Sequence, residues 1–573
     1  MINKPLQNPE KTATPKTNSG HQKLTGQLNT AELLVQCLEN EGVEYVFGLP
    51  GEENLHVLQA LTTSSIQFIT TRHEQGAAFM ADVYGRLTGK AGVCLSTLGP
   101  GATNLMTGVA DANLDGAPLV AITGQVGTDR MHIESHQYLD LVAMFSPVTK
   151  WNTQIVRPSN TAEIIRKAFK VAQREKPGAV HIDLPENIAA MPVGEAFTLQ
   201  RDSQEAIYAS FRSFNKAAEA ICKAKHPLIL VGNGAIRANA SEALTEFATR
   251  LNIPVVNTFM GKGVIPYTHP LSLWTIGLQQ RDHVSCAFDQ TDLVIAVGYD
   301  LIEYSPKKWN PDSKIPIIHV GATPAEVDSS YIPTVEVIGD LTDSLYEIMK
   351  RADRTGKPQT LAAQVRADLI ADYEEYAQDT GFPVKPQKII YDLRQVMGPE
   401  DIVISDVGAH KMWMARHYHC DRPNTCLISN GFAAMGIAIP GALAAKLVHP
   451  DRHVVAVTGD GGFMMNCQEL ETALRVGTAF VVLVFNDQGY GLIEWKQMNQ
   501  FGESAFIHFT NPDFVKFAES MGLKGYRVES AADLVPTLQK ALADNVPAVI
   551  DCPVDYRENL RFSQKAGDLT CPM

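Results

Sequence analysis

The chain has 573 residues, of which 45% are hydrophobic and 20% are charged, and its formal net charge is −14 at pH 7. This length exceeds what one hydrophobic core supports, so we expect three or four domains. The acidic balance argues against a nucleic acid or an anionic membrane surface as a partner, because either would need a basic face.

The ends of the chain and its cysteines bear on where the protein works. Residues 1–26 lack the apolar core of a secretory signal and are rich in Asn, Lys, Thr and Pro, which predicts a flexible tail. Nine cysteines without C-x-x-C spacing indicate reduced, packed thiols rather than disulfides or zinc ligands. No uncharged apolar run of 18 residues occurs, so we expect a cytoplasmic protein that does not enter a membrane.

Short β-branched runs alternate with helical patterns along almost the whole chain, a rhythm typical of parallel α/β domains. The first predicted domain covers residues 27–192 and contains the strands YVFGLP, IQFITT, GVCLSTLG and PLVAITG. A polar connector leads to a central domain over residues 210–351, with the strands PLILVGNGA, IPVVNTF, DLVIAVGYD and IPIIHVG.

A charged segment, helical in its middle, leads to a third domain over residues 385–556 with the strands DIVISDV, HVVAVTG, AFVVLVFN and PAVIDCPV. Its strand–helix rhythm resembles that of the first domain. The small-residue run AAMGIAIPGALAAKLV predicts a buried helix, and residues 557–573 are expected to form a polar tail. The predicted fold class is α/β, with three parallel-sheet domains.

Glycine-rich turns follow several of these strands, and such turns often bind phosphate. The sequence GNG at residues 232–234 lacks the further glycine and the acid of a dinucleotide fingerprint, so it predicts a structural turn. GLPG (48–51) and GPGATN (99–104) each join a strand to a helix, where a tight turn needs glycine in any case. None of these turns has the G-K-[ST] of a Walker loop.

The turn GDGG at residues 459–462 differs because it carries an acid, Asp460, which would repel a phosphate. A helical pattern and the strand AFVVLVFN follow it, and then comes Asp487. A right-handed crossover between parallel strands brings both acids to the carboxy-terminal edge of one sheet. Two carboxylates there suit Mg²⁺, which binds phosphate oxygens in turn, while glycine N–H groups complete the cradle. The alternative is that Asp460 only caps the following helix.

The motif GDGG, followed 27 positions after Asp460 by Asp487 in FNDQG, resembles the thiamine diphosphate motif. The resemblance implies that Mg²⁺ is bound by the side chains of Asp460 and Asp487 and by the backbone carbonyl of Gly489. Most members of that family carry Asn where this chain has Asp487. Both residue types provide oxygen, so the implied site is retained with one more negative charge.

The same family requires a glutamate in its other cofactor-binding domain, and TTRHEQGAAFMADVYGRLTGK contains Glu74. Its carboxyl would share a proton with the aminopyrimidine of the cofactor, which acts as the base at carbon 2 of the thiazolium, and this calls for a dry pocket. The alternative is a carboxylate that is merely favoured at a helix N-terminus. His73 is expected to orient the turn rather than to take part in the chemistry.

Further site residues are implied by the resemblance. Met435 matches the apolar wedge that keeps the cofactor bent, and Gln125 matches a polar group near substrate, so Glu74 and Gln125 are the implied catalytic residues. The implied cofactor-binding residues are Glu74, Pro50, Gly51, Gly408, Ala409, His410, Met435, Gly459, Asp460, Gly461, Gly462, Asp487, Gly489, Tyr490, Gly491 and Ile493.

From about Thr30 to Tyr556 the chain is similar to acetolactate synthases, and most similar to the catabolic type that works without FAD. The stretches HQYLDLVAMFSPVTKW, GYDLIEYSPKKWN and PVDYREN carry this resemblance. An anabolic enzyme would have a G-M-H-G-like flavin loop where this chain has TIGLQQRDHVSC, so FAD is not favoured. The nearby stretch MGKGVIPYTHPLSL resembles the anabolic type and keeps FAD as an alternative.

The resemblance implies an enzyme that decarboxylates pyruvate on thiamine diphosphate and adds the two-carbon unit to a second 2-oxo acid, giving 2-acetolactate. It also implies a homodimer or homotetramer in which Glu74 of one chain faces Asp460 of another. Lys496 stands at an acceptor-side position where lysine is unusual, which leaves the second substrate open.

Three alternatives remain at this point. The chain could be another thiamine diphosphate decarboxylase or an acetyltransferase, or a flavin or nicotinamide oxidoreductase that uses the turn in VGNGA. A non-catalytic paralogue is the third, and the presence of Glu74, Asp460 and Asp487 argues against it.

Overall fold

The structure is a computed structural model that describes residues 21–24, 27–201, 207–278, 282–354 and 360–567. These residues form three parallel six-stranded sheets and one short antiparallel pair. The predicted fold class, α/β with three parallel-sheet domains, is confirmed. Most of the predicted N-terminal tail lies outside the described residues, but His21–Lys23 within it form a strand.

The first part of the chain alternates strands and helices. The strands are β1 (His21–Lys23), β2 (Tyr45–Gly48), β3 (Gln67–Thr70), β4 (Gly92–Ser96), β5 (Leu119–Gln125), β6 (Trp151–Gln154), β7 (Ala179–Pro185) and β8 (Phe197–Leu199). The helices are α1 (Thr30–Glu41), α2 (Leu55–Leu61), α3 (Glu74–Thr88), α4 (Pro100–Asp115), α5 (Leu141–Phe145), α6 (Thr161–Gln173) and α7 (Glu186–Ala190). The first sheet has the order β3-β2-β4-β5-β7-β6, while β1 pairs with β8 in the antiparallel ladder.

The central part contains the second sheet. Its strands are β9 (Pro227–Val231), β10 (Val255–Asn257), β11 (Ser272–Thr275), β12 (Leu293–Val297), β13 (Ile317–Gly321) and β14 (Pro333–Ile338). Its helices are α8 (Phe211–Lys223), α9 (Asn233–Arg237), α10 (Ser241–Leu251), α11 (His283–Asp289), α12 (Leu341–Met349) and α13 (Thr360–Glu374). The sheet order is β11-β10-β9-β12-β13-β14, and α13 lies in the segment predicted to be helical in its middle.

The last part contains the third sheet, with the order β16-β15-β17-β18-β20-β19 once its strands are numbered along the chain. The strands are β15 (Ile402–Ser405), β16 (Cys426–Ile428), β17 (Val454–Gly459), β18 (Val481–Asn486), β19 (Lys524–Arg527) and β20 (Ala548–Pro553). The helices are α14 (Pro386–Val396), α15 (Ala409–His417), α16 (Ala438–Val448), α17 (Asp460–Asn466), α18 (Glu469–Val476), α19 (Gly491–Phe501), α20 (Phe514–Ser520), α21 (Leu534–Leu542) and α22 (Arg557–Gly567). Short 3₁₀ helices cover Glu52–Asn54, Ser146–Val148, Pro158–Asn160, Pro306–Lys308 and Ala531–Asp533.

The three sheets fall into two topologies. When the six strands of each sheet are numbered from 1 along the chain, the strand order is 2-1-3-4-6-5 in the first and third sheets and 3-2-1-4-5-6 in the second. The similar rhythm predicted for the first and third domains is therefore a shared topology. In an open parallel sheet a ligand binds at the carboxy-terminal edge where the strand order reverses. That point lies between β2 and β4 in the first sheet and between β15 and β17 in the third.

All twelve predicted strands are present, and the strands that were not predicted are short or carry polar residues. The clearest example is β7, which lies inside the first sheet and is buried along its whole length. It contains His181 and Asp183, and these ionisable residues interrupt the apolar run by which a buried strand is recognised.

The predicted buried helix in the third domain is confirmed as α16, which packs against α3 of the first domain. A Cβ atom at Gly441 on α16 would lie 2.9 Å from Val83 Cγ2 on α3, so the close approach of the two helices requires glycine. The first and third domains therefore share one hydrophobic core.

A buried charge network joins the same two domains. Arg86 on α3 pairs with Asp82, Asp111 and Asp115 at 2.5, 3.1 and 2.8 Å. The hydroxyl of Ser429, which follows β16, donates a hydrogen bond of 2.7 Å to Asp111. This network fixes the third domain against the first in one orientation.

The prediction of reduced, packed cysteines holds for most of the described cysteines: seven are free, and six of these are buried. Cys286 is disulfide-bonded, so the expectation of reduced thiols is wrong for this residue, because spacing along a chain does not reveal which thiols meet in space.

None of the described helices is both long and apolar enough to span a bilayer. The cytoplasmic location stays a prediction.

Candidate active site

Two loops meet at the point of the third sheet where the strand order reverses. One follows β15 and contains residues 406–408, and the other is the GDGG turn in which β17 ends at Gly459 and α17 begins at Asp460. The structure therefore brings both predicted diphosphate loops to the same edge.

Asp460 connects the GDGG turn to the loop that follows β18. One carboxylate oxygen, Oδ1, accepts a hydrogen bond of 2.7 Å from the N–H of Gly461. The other, Oδ2, accepts hydrogen bonds from the N–H of Gln488 at 2.7 Å and from Asn511 Nδ2 at 2.8 Å. Because Gln488 lies between Asp487 and Gly489, these contacts bring the three predicted metal-binding residues together.

Asp487 and Asp460 are close enough to repel each other. Burial, followed by the negative charge of Asp460, raises the pKa of Asp487 to about 8. A buried and a half-buried carboxylate at one sheet edge call for a counter-charge, and oxygen donors of this kind suit Mg²⁺. Among the described residues no group of three or more His, Cys, Asp or Glu side chains could hold a metal ion. An ion at Asp460 and Asp487 would therefore need further ligands, such as a backbone carbonyl and phosphate oxygens.

The glycines around this pair leave no room for side chains. A Cβ atom at Gly461 would lie 2.8 Å from the ring of Tyr490, and one at Gly491 would lie 2.5 Å from Asp487 Oδ2. Between them, Gln488 has a φ angle of 57°, which is uncommon for a residue other than glycine. Backbone strain of this kind is found at ligand-binding sites.

The loop after β15 adds His410 on α15, next to Gly408 and Ala409. Burial lowers the pKa of His410 to about 3, so the imidazole is neutral. Its Nε2 atom is buried and has no hydrogen-bond partner in the described part of the chain. A Cβ atom at Gly459 would lie 3.3 Å from the same ring, so His410 stands against the GDGG turn. A buried polar atom without a partner at this place fits a site that accepts a polar ligand.

Met435 lies in the turn before α16. It is half-buried, between Ala433, with φ 58°, and Gly436, with φ 93°. The N–H of Gly436 donates a 2.8 Å hydrogen bond to Asp406, which fixes this turn to the loop after β15. Burial raises the pKa of Asp406 to about 6. An apolar side chain held on such a strained turn fits the predicted role of a wedge.

Ile493 and Tyr490 lie on the solvent side of the same loop system. Ile493 is 45% exposed, and Tyr490 is 39% exposed with its ring 5.0 Å from that of Phe509. Both are therefore able to contact a bound molecule. Trp495, two residues further along α19, is buried and donates from Nε1 to Ser563 at 2.7 Å, so it serves packing.

In the first domain, Glu74 is the first residue of α3 and is 6% exposed. Its Oε2 atom accepts a 2.9 Å hydrogen bond from Asn104 Nδ2 on α4. A Cβ atom at Gly101 would lie 3.2 Å from Oε1, so glycine keeps this side of the carboxylate open. His73 caps the helix, since its Nδ1 accepts a 3.0 Å hydrogen bond from the N–H of Gln75. That it orients the turn rather than taking part in the chemistry stays a prediction.

The other predicted residues of the first domain lie at the carboxy-terminal edge of its sheet. Pro50 and Gly51 follow β2, and the N–H of Gly51 donates to Asn54 at 3.0 Å. Gln125 ends β5 and is 1% exposed. Its Nε2 atom donates to the carbonyl of Leu139 at 3.0 Å, so its amide anchors the loop after β5, and its predicted contact with substrate stays a prediction.

The two halves of the predicted site lie on different domains, and the contacts between these domains near Glu74 are made by Glu469 and Asn466. Among the described residues, no hydrogen bond connects Glu74 or Asn104 with Asp460, Asp487 or His410. The predicted residues therefore form two groups, one at the edge of the first sheet and one at the edge of the third.

Several residues of the site were not recognised from the sequence. Asp406 had a signal, because it follows a strand at the same edge, but it was not singled out. Asn104 lies in the GPGATN turn but was not singled out, and Asn511 and Glu469 had no signal, because they act through contacts that form only in the folded chain.

Family models for thiamine pyrophosphate enzymes match three stretches of the chain. The N-terminal TPP binding domain matches residues 28–144, the central domain 214–348 and the C-terminal TPP binding domain 406–552. The two sheet edges described above lie in the two TPP binding domains, so the class is that of thiamine pyrophosphate enzymes.

Curated relatives narrow this class. An acetolactate synthase of Bacillus subtilis is 35% identical over 543 residues, which cover 93% of this chain and 94% of the relative. A catabolic acetolactate synthase of Raoultella terrigena is 35% identical, with coverage of 92% and 95%. A probable acetolactate synthase large subunit of Methanococcus aeolicus is 35% identical, with coverage of 95% of both chains. The chain belongs to the acetolactate synthase family, as predicted, and it is a thiamine-diphosphate-dependent enzyme of the carboligase class.

Proposed function

We propose that this enzyme decarboxylates one pyruvate and joins the remaining two-carbon unit to a second 2-oxo acid, so that two pyruvates give one 2-acetolactate and one CO₂. The convergence of Asp460 and Asp487 at the reversal point of the third sheet carries this proposal. It supports a site for a cation and a diphosphate in the domain that matches TPP binding.

We propose the following residues as the holders of the cofactor. Asp460, Asp487 and the carbonyl of Gly489 would bind Mg²⁺, while the N–H groups of the two loops face the diphosphate. Met435 would support the bend between the two rings. Thiamine diphosphate, when bound, supplies the electron sink that allows a 2-oxo acid to lose CO₂.

Glu74 is proposed to hold a proton for the cofactor. Asn104 binds one oxygen of its carboxyl group and leaves the other, beside Gly101, free to share a proton with a ring nitrogen. The low exposure of Glu74 supports this role, since little water competes there for its free oxygen.

We further propose that the complete site forms between two copies of the chain, in a homodimer or homotetramer. Large apolar side chains stand exposed around the loops of the third sheet, and a partner surface would cover them and exclude water. They are Phe432, Met464, Met465, Tyr490 and Ile493.

The central domain is proposed to work without FAD, although its strand order is that of dinucleotide-binding sheets. The turn after β9 would present its N–H groups to a phosphate. Here Glu303 occupies that position, because its carboxylate accepts hydrogen bonds from the N–H of Asn233 at 3.0 and 3.2 Å. Residues 279–281 of the segment that differs from a flavin loop lie outside the described residues.

Product analysis tests the function. Enzyme of known thiamine diphosphate and Mg²⁺ content is given pyruvate, with and without 2-oxobutyrate, and the products are identified by NMR. We expect 2-acetolactate from pyruvate alone. With 2-oxobutyrate present, the ratio of 2-acetolactate to the product of adding the two-carbon unit to 2-oxobutyrate measures the preference for each acceptor. Acetaldehyde without 2-acetolactate would indicate a decarboxylase. Activity that survives removal of thiamine diphosphate would indicate an oxidoreductase.

A further inference from the structure

Tyr556 lies in the short link between β20 and α22, beyond the stretch matched by the C-terminal TPP binding domain. Its hydroxyl oxygen is buried and has no hydrogen-bond partner within the described part of the chain. A buried hydroxyl without a partner is rare, because the group has lost water and gained nothing in exchange.

The ring of Tyr556 stands beside the proposed metal site. A Cβ atom at Gly491 would lie 2.9 Å from Tyr556 Cδ2 and 2.5 Å from Asp487 Oδ2, so the tyrosine and the carboxylate flank the same glycine. The phenolic hydroxyl of tyrosine can both donate and accept a hydrogen bond, so it is available as a donor beside the two acids.

The hydroxyl of Tyr556 lies near the start of α15. The backbone N–H of His410 is outside hydrogen-bond geometry but close enough to the hydroxyl oxygen to lower the pKa of Tyr556 against the larger effect of burial. An N–H at this place uses the oxygen as an acceptor, so the O–H proton is free to donate elsewhere. The two unpartnered polar atoms of this region, Tyr556 Oη and His410 Nε2, thus belong to residues that lie close to each other and to the two acids.

The backbone around Tyr556 is held firmly. Glu558 is 1% exposed and accepts a 3.1 Å hydrogen bond from Gln387 Nε2 on α14. Asn559 Oδ1 accepts a 2.7 Å hydrogen bond from Trp413 Nε1 on α15. Helix α15, which follows the loop of residues 406–408, thereby fixes the segment that contains Tyr556. The hydroxyl of Tyr556 therefore has a defined position before any ligand binds.

We propose that Tyr556 is a cofactor-binding residue whose hydroxyl donates a hydrogen bond to a diphosphate oxygen of thiamine diphosphate. The inference rests on the proposed cofactor site. It assigns a binding role to the C-terminal link. Packing of the ring explains why an aromatic residue is present, but it does not explain an unpartnered hydroxyl, since phenylalanine would pack equally well.

The test uses the full-length chain with the substitution Tyr556→Phe and measures binding of thiamine diphosphate and of inorganic pyrophosphate, each with Mg²⁺, by calorimetry. We expect both dissociation constants to rise about tenfold or more, as for loss of one hydrogen bond to a charged group. The matched control is Tyr526→Phe, which removes a hydroxyl bonded to Asp544 at 2.7 Å far along the sheet and should leave both constants unchanged.

Wild-type affinity of the Tyr556→Phe variant for both ligands would overturn the inference. A loss confined to thiamine diphosphate would also overturn it, because the contact would then not be with the diphosphate. If the unsubstituted enzyme bound neither ligand, both the proposed function and the inference about Tyr556 would fail. The melting temperature of the ligand-free variant should equal or exceed that of the parent, since the hydroxyl it loses has no partner.

Discussion

Glu469 of the third domain accepts a hydrogen bond of 3.0 Å from the backbone N–H of His73, the residue immediately before Glu74. The N–H of Arg72 donates to the same carboxylate at 3.1 and 3.2 Å. Glu469 is fully buried, and burial raises its pKa. A carboxylate on α18 thus holds the start of α3, so the position of Glu74 depends on how two domains pack.

Removal of this carboxylate should therefore affect both stability and chemistry. In Glu469→Ala, the N–H groups of Arg72 and His73 lose their acceptor, which we expect to cost on the order of 2 kcal/mol of unfolding free energy. Displacement of Glu74 should also slow hydrogen exchange at carbon 2 of bound thiamine diphosphate, measured by NMR after acid quench. Glu469→Gln is the matched control, because its amide oxygen still accepts from both N–H groups. A lower melting temperature with full exchange rate in Glu469→Ala would show that Glu469 is structural only.

Glu74→Gln should separate binding from activation. Glutamine still accepts the hydrogen bond from Asn104, but it holds no proton to share with the cofactor. We expect the rate of exchange at carbon 2 to fall by orders of magnitude while thiamine diphosphate remains bound. Glu52→Gln, an exposed glutamate in the same domain, serves as the control. Exchange at the parent rate in Glu74→Gln would refute the assignment.

The two acids of the proposed metal site should differ in their tolerance of substitution. Asp460→Ala removes an oxygen ligand of the proposed metal ion and also the acceptor for Gln488 and Asn511. Loss of a residue that only hydrogen-bonds to a metal ligand typically lowers affinity ~10–100-fold, so the affinity of Asp460→Ala for thiamine diphosphate should fall by more than this. Asp487→Asn keeps an oxygen ligand and should stay within about tenfold of the parent. Equilibrium dialysis with and without Mg²⁺ measures both. Unchanged retention in Asp460→Ala would count against the metal role.

Glu303 predicts a pH dependence of stability in the central domain. Burial raises the pKa of Glu303 from 4.5 to about 7, and the hydrogen bond from Thr258, which lowers the pKa, offsets only part of this effect. A raised pKa means that the neutral carboxyl group stabilises the fold at low pH, and that this contribution is lost as the pH rises from about 4.5 through 7.

Glu303→Gln should abolish this dependence, because its neutral amide can still accept from Asn233 and donate to Thr258. At pH 8 the variant should be more stable than the parent by on the order of 3 kcal/mol. Melting temperatures between pH 5 and 8 measure the effect, with Glu242→Gln, an exposed glutamate on α10, as the control. Parallel pH profiles for the parent and Glu303→Gln would contradict the prediction.

The substitution Glu303→Gln would also leave the turn after β9 without a carboxyl group that can ionise. If Glu303 keeps a dinucleotide out, FAD should bind weakly or not at all to the parent enzyme, which flavin fluorescence in a titration would reveal. Stoichiometric binding of FAD by the parent enzyme would contradict the proposed flavin-free central domain.

Local patterns in the sequence were enough to predict the three sheets and the position of the proposed metal-binding loop. Alternation of β-branched runs with helical periodicity follows from which faces are buried, and this information is local. The pairing of Asp460 with Asp487 also follows locally, because one strand–helix–strand unit brings both acids to the same sheet edge. Resemblance then supplied Glu74, which no local pattern connects with these acids.

Only the tertiary structure decided how these parts are held and what else touches them. The contact of Glu469 with His73 joins residues 396 positions apart, and Glu303 reaches Asn233 across 70. Such contacts depend on the packing of whole domains, so spacing along the chain does not encode them. The unpartnered hydroxyl of Tyr556 is of the same kind, because a tyrosine in the sequence does not reveal whether its oxygen faces water, a partner or an open site.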